Sequence, residues 1–205
     1  MPISQKEAII TPIVKKPNLD PDETKSYRPI SNLSFISKVI ERIVSEQVRE
    51  YLIKSDLMPP LQSAYRPSHS METALLKVIS DIINAADSQK VTLLSLLDMS
   101  AAFDTVDHQI LLKRLEVSYG IGGAVLGWFS SFLSGRRQVV AFAGERSDSS
   151  QLICGVPQGS VLGPLLFVLY AADVMEIARS HGVNIHAYAD DLQTYVSCEA
   201  VNQES

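Results

Sequence analysis

Two adjacent aspartates, Asp190 and Asp191, stand between two segments in which apolar and polar residues alternate. This alternation predicts a β-hairpin with Asp190-Asp191 as its two-residue loop, although Asp-Asp is not a favoured turn pair. Two carboxylates at a tight turn repel each other by roughly 1 kcal/mol even in a water-like dielectric, and a cation would turn that repulsion into attraction. Mg²⁺ suits this role, because it takes oxygen ligands and is typically held by one or two carboxylates plus substrate phosphates. The alternative interpretation is a solvated acidic turn.

A third carboxylate, Asp98, ends an apolar run of strand length, residues 91–98 (VTLLSLLD). Such a run is typical of a strand that is buried on both faces. A carboxylate at the end of a strand can point into a cleft beside a hairpin turn; the alternative is an aspartate that caps a helix or a turn. Asp98 and Asp190 together would hold two Mg²⁺ ions, which clamp the attacking and leaving oxygens of a displacement at phosphorus.

A loop flanked by glycines, Gly155–Ser160 (GVPQGS), precedes an apolar segment that predicts a helix from about Ser160 to Ser180. Free backbone N–H groups and the positive end of the helix dipole make such a loop a candidate phosphate site. Gln158 could lie flat against a sugar or a base. An ordinary helix start is the competing interpretation.

The other periodic segments predict an α+β fold with an antiparallel sheet. They are a strand at Ala8–Val14, a polar loop after it, an amphipathic helix from Ser34 that ends before Pro59-Pro60, a helix at Met71–Ala86, helices at His108–Tyr119 and Ala124–Leu133, and a hairpin between Gln138–Ala143 and Gln151–Cys154.

Composition places the chain among globular proteins. Its 205 residues are 46% hydrophobic and 20% charged, enough for one large domain or two closely joined subdomains. The formal net charge of -5 argues mildly against a nucleic-acid binder, since phosphate contacts need basic residues.

The two cysteines, Cys154 and Cys198, have neither CxxC spacing nor a histidine at ligand spacing. Their pattern predicts a reducing, intracellular compartment and does not decide between nucleus and cytoplasm. The longest apolar stretch, Val161–Val174, is too short to span a bilayer.

Five segments, in this order along the chain, resemble the motifs of reverse transcriptases from non-LTR (LINE-type, jockey-like) retrotransposons. They read YRPISNLSFISKVIERIV, LQSAYRPSHSMETALLKV, LLSLLDMSAAFDTVDHQILLKRL, GVPQGSVLGPLLFVLY and HAYADDLQTY. The matches cover nearly the whole chain, and an ordered set is far more specific than any single motif. The chain departs from the family in the second segment, where Ala64 and Ser68 stand in place of the usual glycines, and in the last, where Leu192 replaces threonine.

The resemblance implies a role for each matching residue. The catalytic carboxylates would be Asp98, Asp190 and Asp191, and the metal ligands would be the same three together with the backbone carbonyl of Met99. The nucleotide contacts would be Arg66, Phe103, Gln158 and Gly159. Phe103, five residues after Asp98, would act as the steric gate that abuts the 2′ position of the sugar. Arg66 would lie against the base and phosphates of the nucleotide, which suits its planar fork.

The residue types alone favour plainer roles at several of these positions. Without the resemblance, Phe103 would be read as a core aromatic and Arg66 as a surface residue. Lys15 or Lys16 would reach the triphosphate, and Arg28-Pro29 would lie along the template strand. Three remaining features predict no chemistry: the histidines His69, His108, His181 and His186 as surface or capping residues, Asp107-His108 as a helix start, and Arg136-Arg137 as a solvated turn that could also touch nucleic acid.

The fold that the resemblance implies is a right-hand polymerase palm, an antiparallel sheet backed by helices, with partial fingers and no thumb. Residues up to about 90 would form the fingers with part of the palm, and residues from about 91 to 205 the palm. The thumb and an endonuclease would belong to other segments of a full-length element. The implied activity is RNA-directed DNA polymerisation with two Mg²⁺ ions (Mn²⁺ as a substitute), an RNA template, a DNA primer, deoxynucleoside triphosphates and no membrane partner.

Two other functions compete with this one. A truncated, inactive retroelement remnant would at most bind nucleic acid. A nucleotide-binding protein that uses GVPQGS as a phosphate loop is a poor alternative, because neither a Walker lysine nor GxGxxG spacing accompanies it. Primer extension on an RNA template separates the polymerase from the inactive remnant.

Overall fold

The computed structural model describes residues 1–99 and 101–200, which form helices and two β-sheets. The α+β class predicted from the sequence is therefore confirmed. In chain order the elements are β1 (Glu7–Val14), β2 (Tyr27–Asn32), α1 (Phe35–Lys54), α2 (Met71–Asp87), β3 (Lys90–Asp98), α3 (His108–Val117), α4 (Gly123–Leu133), β4 (Arg136–Phe142), β5 (Glu145–Arg146), β6 (Ser150–Leu152), α5 (Gly163–Ala171), α6 (Asp173–Ser180), β7 (Asn184–Tyr188) and β8 (Asp191–Glu199).

The contacts divide the chain into two compact units, each built from two stretches of sequence. The first unit comprises Met1–Met58 and Phe103–Tyr170, and the second comprises Pro59–Ala102 and Ala171–Ser205. This division does not follow the boundary near residue 90 that separates the expected fingers and palm, so that assignment stays a prediction.

The first unit contains a mixed sheet in the order β2-β1-β4-β5, with β6 also paired to β4. β1 runs antiparallel to β2 but parallel to β4, so this sheet is mixed. The polar loop predicted after the first strand runs to Pro29, but β2 begins earlier, at Tyr27. Pro29 of β2 lies opposite Pro12 of β1. β1 pairs with β4 only as far as Ile10, so the N–H group that Pro12 lacks is not needed for the pairing between β1 and β4.

The helix α1 forms where it was predicted, but only part of its expected apolar face is buried. Val48 and Leu52 are buried, whereas Phe35 is 81% exposed. The first half of the helix instead buries the polar residues Ser37, Glu41 and Ser45. The hydrogen bonds of Glu41, described below, explain why a polar stripe points inwards.

The second unit contains an antiparallel sheet in the order β3-β8-β7. β3 lies at its edge, with Leu93 and Leu96 77% and 71% exposed. The prediction that β3 is buried on both faces is therefore wrong for the described residues. An apolar run shows that a strand is able to be buried, but a covering layer on each face is also required.

The long helix expected from about Ser160 to Ser180 is two helices. α5 begins at Gly163 and ends at Ala171, and α6 begins at Asp173. α5 is apolar on all sides and mostly buried, as is typical of a helix in a protein core. Among the described residues, no helix has the length and apolar character needed to cross a membrane.

Candidate active site

The register of β3 and β8 brings the predicted carboxylates together. Asp98, the last residue of β3, lies directly opposite Asp191, the first residue of β8. Asp190 immediately precedes Asp191, and its carbonyl accepts a hydrogen bond from the Met99 N–H at 3.3 Å. Residues more than ninety positions apart in sequence thus occupy neighbouring backbone positions within one compact unit.

The hairpin turn is shifted by one residue from the prediction. Tyr188 pairs with Asp191, so the loop consists of Ala189 and Asp190, and Asp191 belongs to β8. Asp191 is fixed in the strand because it pairs on both sides, with Tyr188 and with Asp98. Ala189 has φ +57°, the left-handed region that glycine usually supplies at the first loop position of such a turn.

The donor set in this region suits a hard divalent cation. Two carboxylates at opposed strand positions and a third in the adjoining turn offer only oxygen ligands, which Mg²⁺ prefers. Within the described ranges no three His, Cys, Asp or Glu side chains are arranged as a ready-made metal site. Mg²⁺ does not need such a cage, since substrate phosphates commonly complete its coordination. The oxygen donors of Asp98, Asp190 and Asp191 are therefore of the kind that suits Mg²⁺, the ion implied by the sequence.

Apolar packing supports the strand ends that carry the carboxylates. Met175, Ile185, Ala187 and Leu192 form a buried cluster in the second unit, and Met99 packs against it. This packing fixes the position of Met99, which directly follows Asp98. Leu192, which departs from the family's threonine, contributes apolar contact here and replaces no charged group.

Tyr65 is coupled to the same turn. Burial raises the pKa of the Tyr65 hydroxyl, and the negative charge of Asp190 raises it further. Tyr65 and Ser68 both have positive φ values, of 57° and 60°. Ser68 therefore adopts a conformation that the usual glycine would adopt without strain.

Three of the four predicted nucleotide contacts belong to the first unit. Phe103 is half-buried, and its ring centroid lies 5.1 Å from that of Phe167. The Phe103 carbonyl accepts a hydrogen bond from the Val156 N–H at 2.7 Å. Gly155 has φ +81°, and an added Cβ would lie 2.9 Å from the Phe103 carbonyl oxygen. Glycine is therefore required for the GVPQGS loop to approach the segment that carries Phe103.

The other side of the same loop is attached to β2. The Ser31 N–H donates to the Gln158 carbonyl at 2.7 Å, and a Cβ on Gly159 would lie 2.8 Å from the Ser31 carbonyl oxygen. The Gln158 side chain donates to the Asp104 carboxylate at 2.9 Å. Phe103, Gln158 and Gly159 thus occupy one connected stretch of the first unit.

The fourth predicted contact, Arg66, belongs to the second unit, where its guanidinium lies 3.5 Å from the Pro59 carbonyl. The exposed cations Lys15, Lys16 and Arg28 lie in the first unit, at or near the ends of β1 and β2. Their contacts with nucleotide or template stay predictions.

Two residues assigned to the surface are buried instead. His186 of β7 lies in the interior, with its Nε2 2.8 Å from the Ser63 hydroxyl oxygen. Burial lowers the pKa of His186, the cations Lys77 and His69 lower it further, and Asp81 opposes them. Arg136 is 1% exposed and donates to the Phe132 carbonyl, so it is not part of a solvated turn. In contrast, Asp107 caps α3 as expected.

Sequence reasoning missed Glu41, a fully buried carboxylate in the first unit. It accepts hydrogen bonds from the hydroxyls of Ser37 and Ser160, and from the backbone N–H groups of Val161 and Leu162. Glu41 thereby fixes the chain where it leaves the GVPQGS loop. The signal available in the sequence was the four-residue spacing of polar residues within α1.

Comparison with known proteins identifies relatives over almost the whole chain. The model of the family described as reverse transcriptase (RNA-dependent DNA polymerase) matches residues 14–204. The probable RNA-directed DNA polymerase from transposon X-element of Drosophila melanogaster is 37% identical over 97% of this chain and 22% of that protein. The RNA-directed DNA polymerase from mobile element jockey of Drosophila funebris is 30% identical over 88% of this chain and 20% of that protein. The chain thus spans about a fifth of the length of these relatives.

Solved structures share the fold at much lower sequence identity. Apo telomerase from Candida tropicalis, truncated from the C-terminal domain, has a TM-score of 0.66 at 12% identity, covering 94% of this chain and 44% of that chain. Telomerase from the same organism with the TWJ fragment of telomeric RNA has a TM-score of 0.68 at 11% identity, covering 95% and 36%. This likeness concerns the fold alone, and it confirms the palm-like architecture that was expected.

Proposed function

The chain belongs to the reverse transcriptase (RNA-dependent DNA polymerase) family, in its non-LTR, LINE-type branch, and we propose that it carries the polymerase site of such an element. The proposed reaction copies an RNA template by adding deoxynucleotides to the 3′-hydroxyl of a DNA primer, with release of pyrophosphate. The observation that supports it best is the strand register that sets Asp98 opposite Asp191 and beside Asp190.

The carboxylates would act as metal ligands, with Asp98 and Asp190 as the principal ones and Asp191 and the Met99 carbonyl completing the set. Two Mg²⁺ ions, or Mn²⁺ in their place, would lower the pKa of the primer hydroxyl and neutralise the charge on the triphosphate. The role of the protein is to hold the carboxylates that bind these ions in fixed positions. The antiparallel pairing of β3 and β8 holds Asp98 and Asp191 at a fixed separation, so little reorganisation is needed when substrate binds.

The incoming nucleotide would contact Phe103, Gln158 and Gly159. Phe103 is suited to exclude a 2′-hydroxyl because Phe167 packs against its ring and limits its retreat. Gly159 lets the loop pack against the Ser31 carbonyl, which would hold Gln158 and Gly159 in place for the sugar or base. Arg66 would contact the base and phosphates, Lys15 or Lys16 the triphosphate, and Arg28 the template strand.

Primer extension on an RNA template tests the proposal. The assay uses Mg²⁺ and an excess of protein over primer–template, and compares the wild type with Asp190→Asn. Loss of a metal ligand is expected to lower extension at least about 100-fold. Asp148→Asn, a matched removal of one exposed carboxylate in the first unit, should leave extension unchanged.

The competing possibility, an inactive remnant that at most binds nucleic acid, gives a different result. It predicts the same background signal from the wild type and Asp190→Asn while primer–template binding persists. Equal signals would therefore refute the polymerase assignment.

A further inference from the structure

The turn that carries Asp190 has a backbone conformation that its own sequence does not favour. Ala189 has φ +57°, a region that residues with a Cβ rarely adopt. A two-residue turn can also be broken by a shift in strand register, which would turn every side chain of β8 to the opposite face. Some interaction outside the hairpin is therefore expected to hold Ala189 in place.

The side chain of Gln62 provides this interaction. Its Oε1 accepts a hydrogen bond from the Ala189 N–H at 2.9 Å, and its Nε2 donates to the Ala189 carbonyl at 3.2 Å. One planar carboxamide thus binds both backbone polar groups of the strained residue. Oε1 also accepts from the Ala64 N–H at 2.9 Å, which fixes the orientation of the amide. Gln62 is only 2% exposed, so water does not replace these bonds readily.

Gln62 is itself held against the strand that leads into the turn. The Ser63 N–H donates to the Ala187 carbonyl at 2.9 Å, and the Ala187 N–H donates to the Leu61 carbonyl at 2.8 Å. The Ser63 hydroxyl also pairs with His186 of β7. The segment from Leu61 to Ala64, here termed the Gln62 clamp, is therefore a short parallel extension beside β7 that reaches over the turn.

We infer that Gln62 is a positioning residue for the proposed metal site, acting through Ala189 on the direction of Asp190. The inference rests on the proposed function. When Gln62 holds Ala189 in the left-handed conformation, Asp190 follows β7 at a fixed angle and stays beside Asp98 and Asp191. Without the carboxamide, the turn relaxes towards conformations that alanine prefers, and the Asp190 carboxylate leaves the other two.

Substitutions at two positions separate this role from simple packing. Gln62→Met keeps the side-chain length but removes both hydrogen bonds to Ala189. Gln62→Glu keeps an acceptor and loses the donor, so it should have an effect of the same kind. Ala189→Gly adopts a positive φ without strain, so in the Gln62→Met background it should restore part of what was lost. A role in packing alone would show no such rescue.

Two measurements on the whole chain test the inference. Amide hydrogen exchange without metal reports on the turn, and Gln62→Met should accelerate exchange of the Ala189 N–H at least about tenfold. Mn²⁺ titration followed by electron paramagnetic resonance reports on the site, and the dissociation constant should rise by about tenfold. Thermal unfolding followed by circular dichroism verifies that each variant is folded.

Gln193→Met is the matched control. Gln193 is a buried glutamine on β8 of the same unit, and its Oε1 has no hydrogen-bond partner within the described ranges. This variant should leave both the exchange of Ala189 and the affinity for Mn²⁺ unchanged.

Each result decides a separate question. Unchanged exchange in Gln62→Met would overturn the clamp, and faster exchange with unchanged Mn²⁺ affinity would overturn its role in positioning. Failure of Ala189→Gly to restore any affinity would assign Gln62 to packing alone. A wild type that binds no Mn²⁺ would instead refute the proposed metal site itself.

Discussion

Replacement of Glu41 by glutamine should destabilise the first unit strongly, although the change is nearly isosteric. Oε2 of Glu41 accepts from the Ser160 hydroxyl at 2.5 Å, the Val161 N–H at 2.8 Å and the Leu162 N–H at 3.2 Å. A neutral amide oxygen can still accept from these donors, but each hydrogen bond loses its charge assistance. At roughly 1 kcal/mol per donor, the free energy of unfolding should fall by about 3 kcal/mol.

The buried Arg136 makes this figure a lower bound. Burial lowers the pKa of its guanidinium, and the negative charge of Glu41 opposes that shift. With Glu41 neutralised, Arg136 keeps its bond to the Phe132 carbonyl and its position over the Phe132 ring but loses the nearby anion. Removal of the compensating charge from a buried cation is destabilising.

Urea denaturation followed by tryptophan fluorescence measures this effect. Trp128, the single tryptophan, lies in α4 of the first unit and therefore reports on that unit. Glu46→Gln removes an exposed carboxylate from the same helix and should change the unfolding free energy by less than about 0.5 kcal/mol. A loss below about 1 kcal/mol for Glu41→Gln, or one equal to that of Glu46→Gln, would refute the argument.

Two further predictions concern the steric gate and a buried histidine. Phe103→Val should lower the discrimination between deoxyribonucleotides and ribonucleotides at least about tenfold, measured as the ratio of kcat/KM for the two substrates; an unchanged ratio would remove the gate assignment. The pKa of His186 is lowered by burial, so between that value and the usual 6.5 the unfolded chain binds more protons than the folded chain. Stability should therefore fall as the pH drops through 6.5 and below, and His186→Gln should show a smaller difference in unfolding free energy between about pH 7.5 and 5.5; an equal difference would exclude His186 as the source.

The position of the carboxylates could be predicted because it depends on local patterns. Alternation on both sides of Asp190 predicted a hairpin, and the apolar run before Asp98 predicted a strand that ends there. The exact loop residues could not be predicted in this way, since moving the two-residue loop by one position shifts each pairing partner by two residues and leaves every side chain on the same face. Pairing of Asp191 with both Tyr188 and Asp98 decided the register, and Asp98 lies more than ninety residues away in the sequence.

Burial was harder to predict than secondary structure. The apolar spacing in α1 identified the helix and included the buried Val48 and Leu52, but it did not predict the buried Glu41, because Ser160 and Val161, which donate to it, lie about 120 residues later in the chain. Similarly, Gln62 was recognised only as part of a family motif, and its contact with Ala189 spans 127 positions. A polar side chain is buried where its donors and acceptors are satisfied, and those partners are not visible in its own segment.

The proposed metal ligands and the predicted nucleotide contacts near the GVPQGS loop are supported within different units. Gln62 and all three carboxylates belong to the second unit, whereas Glu41, Phe103 and the GVPQGS loop belong to the first. Gln62→Met should therefore weaken Mn²⁺ binding without changing the urea midpoint reported by Trp128. Glu41→Gln should lower that midpoint and, at urea concentrations where the first unit stays folded, leave Mn²⁺ affinity intact. If Glu41→Gln weakened Mn²⁺ binding there, the carboxylates would depend on the first unit, and the hairpin with its clamp would not suffice to hold them.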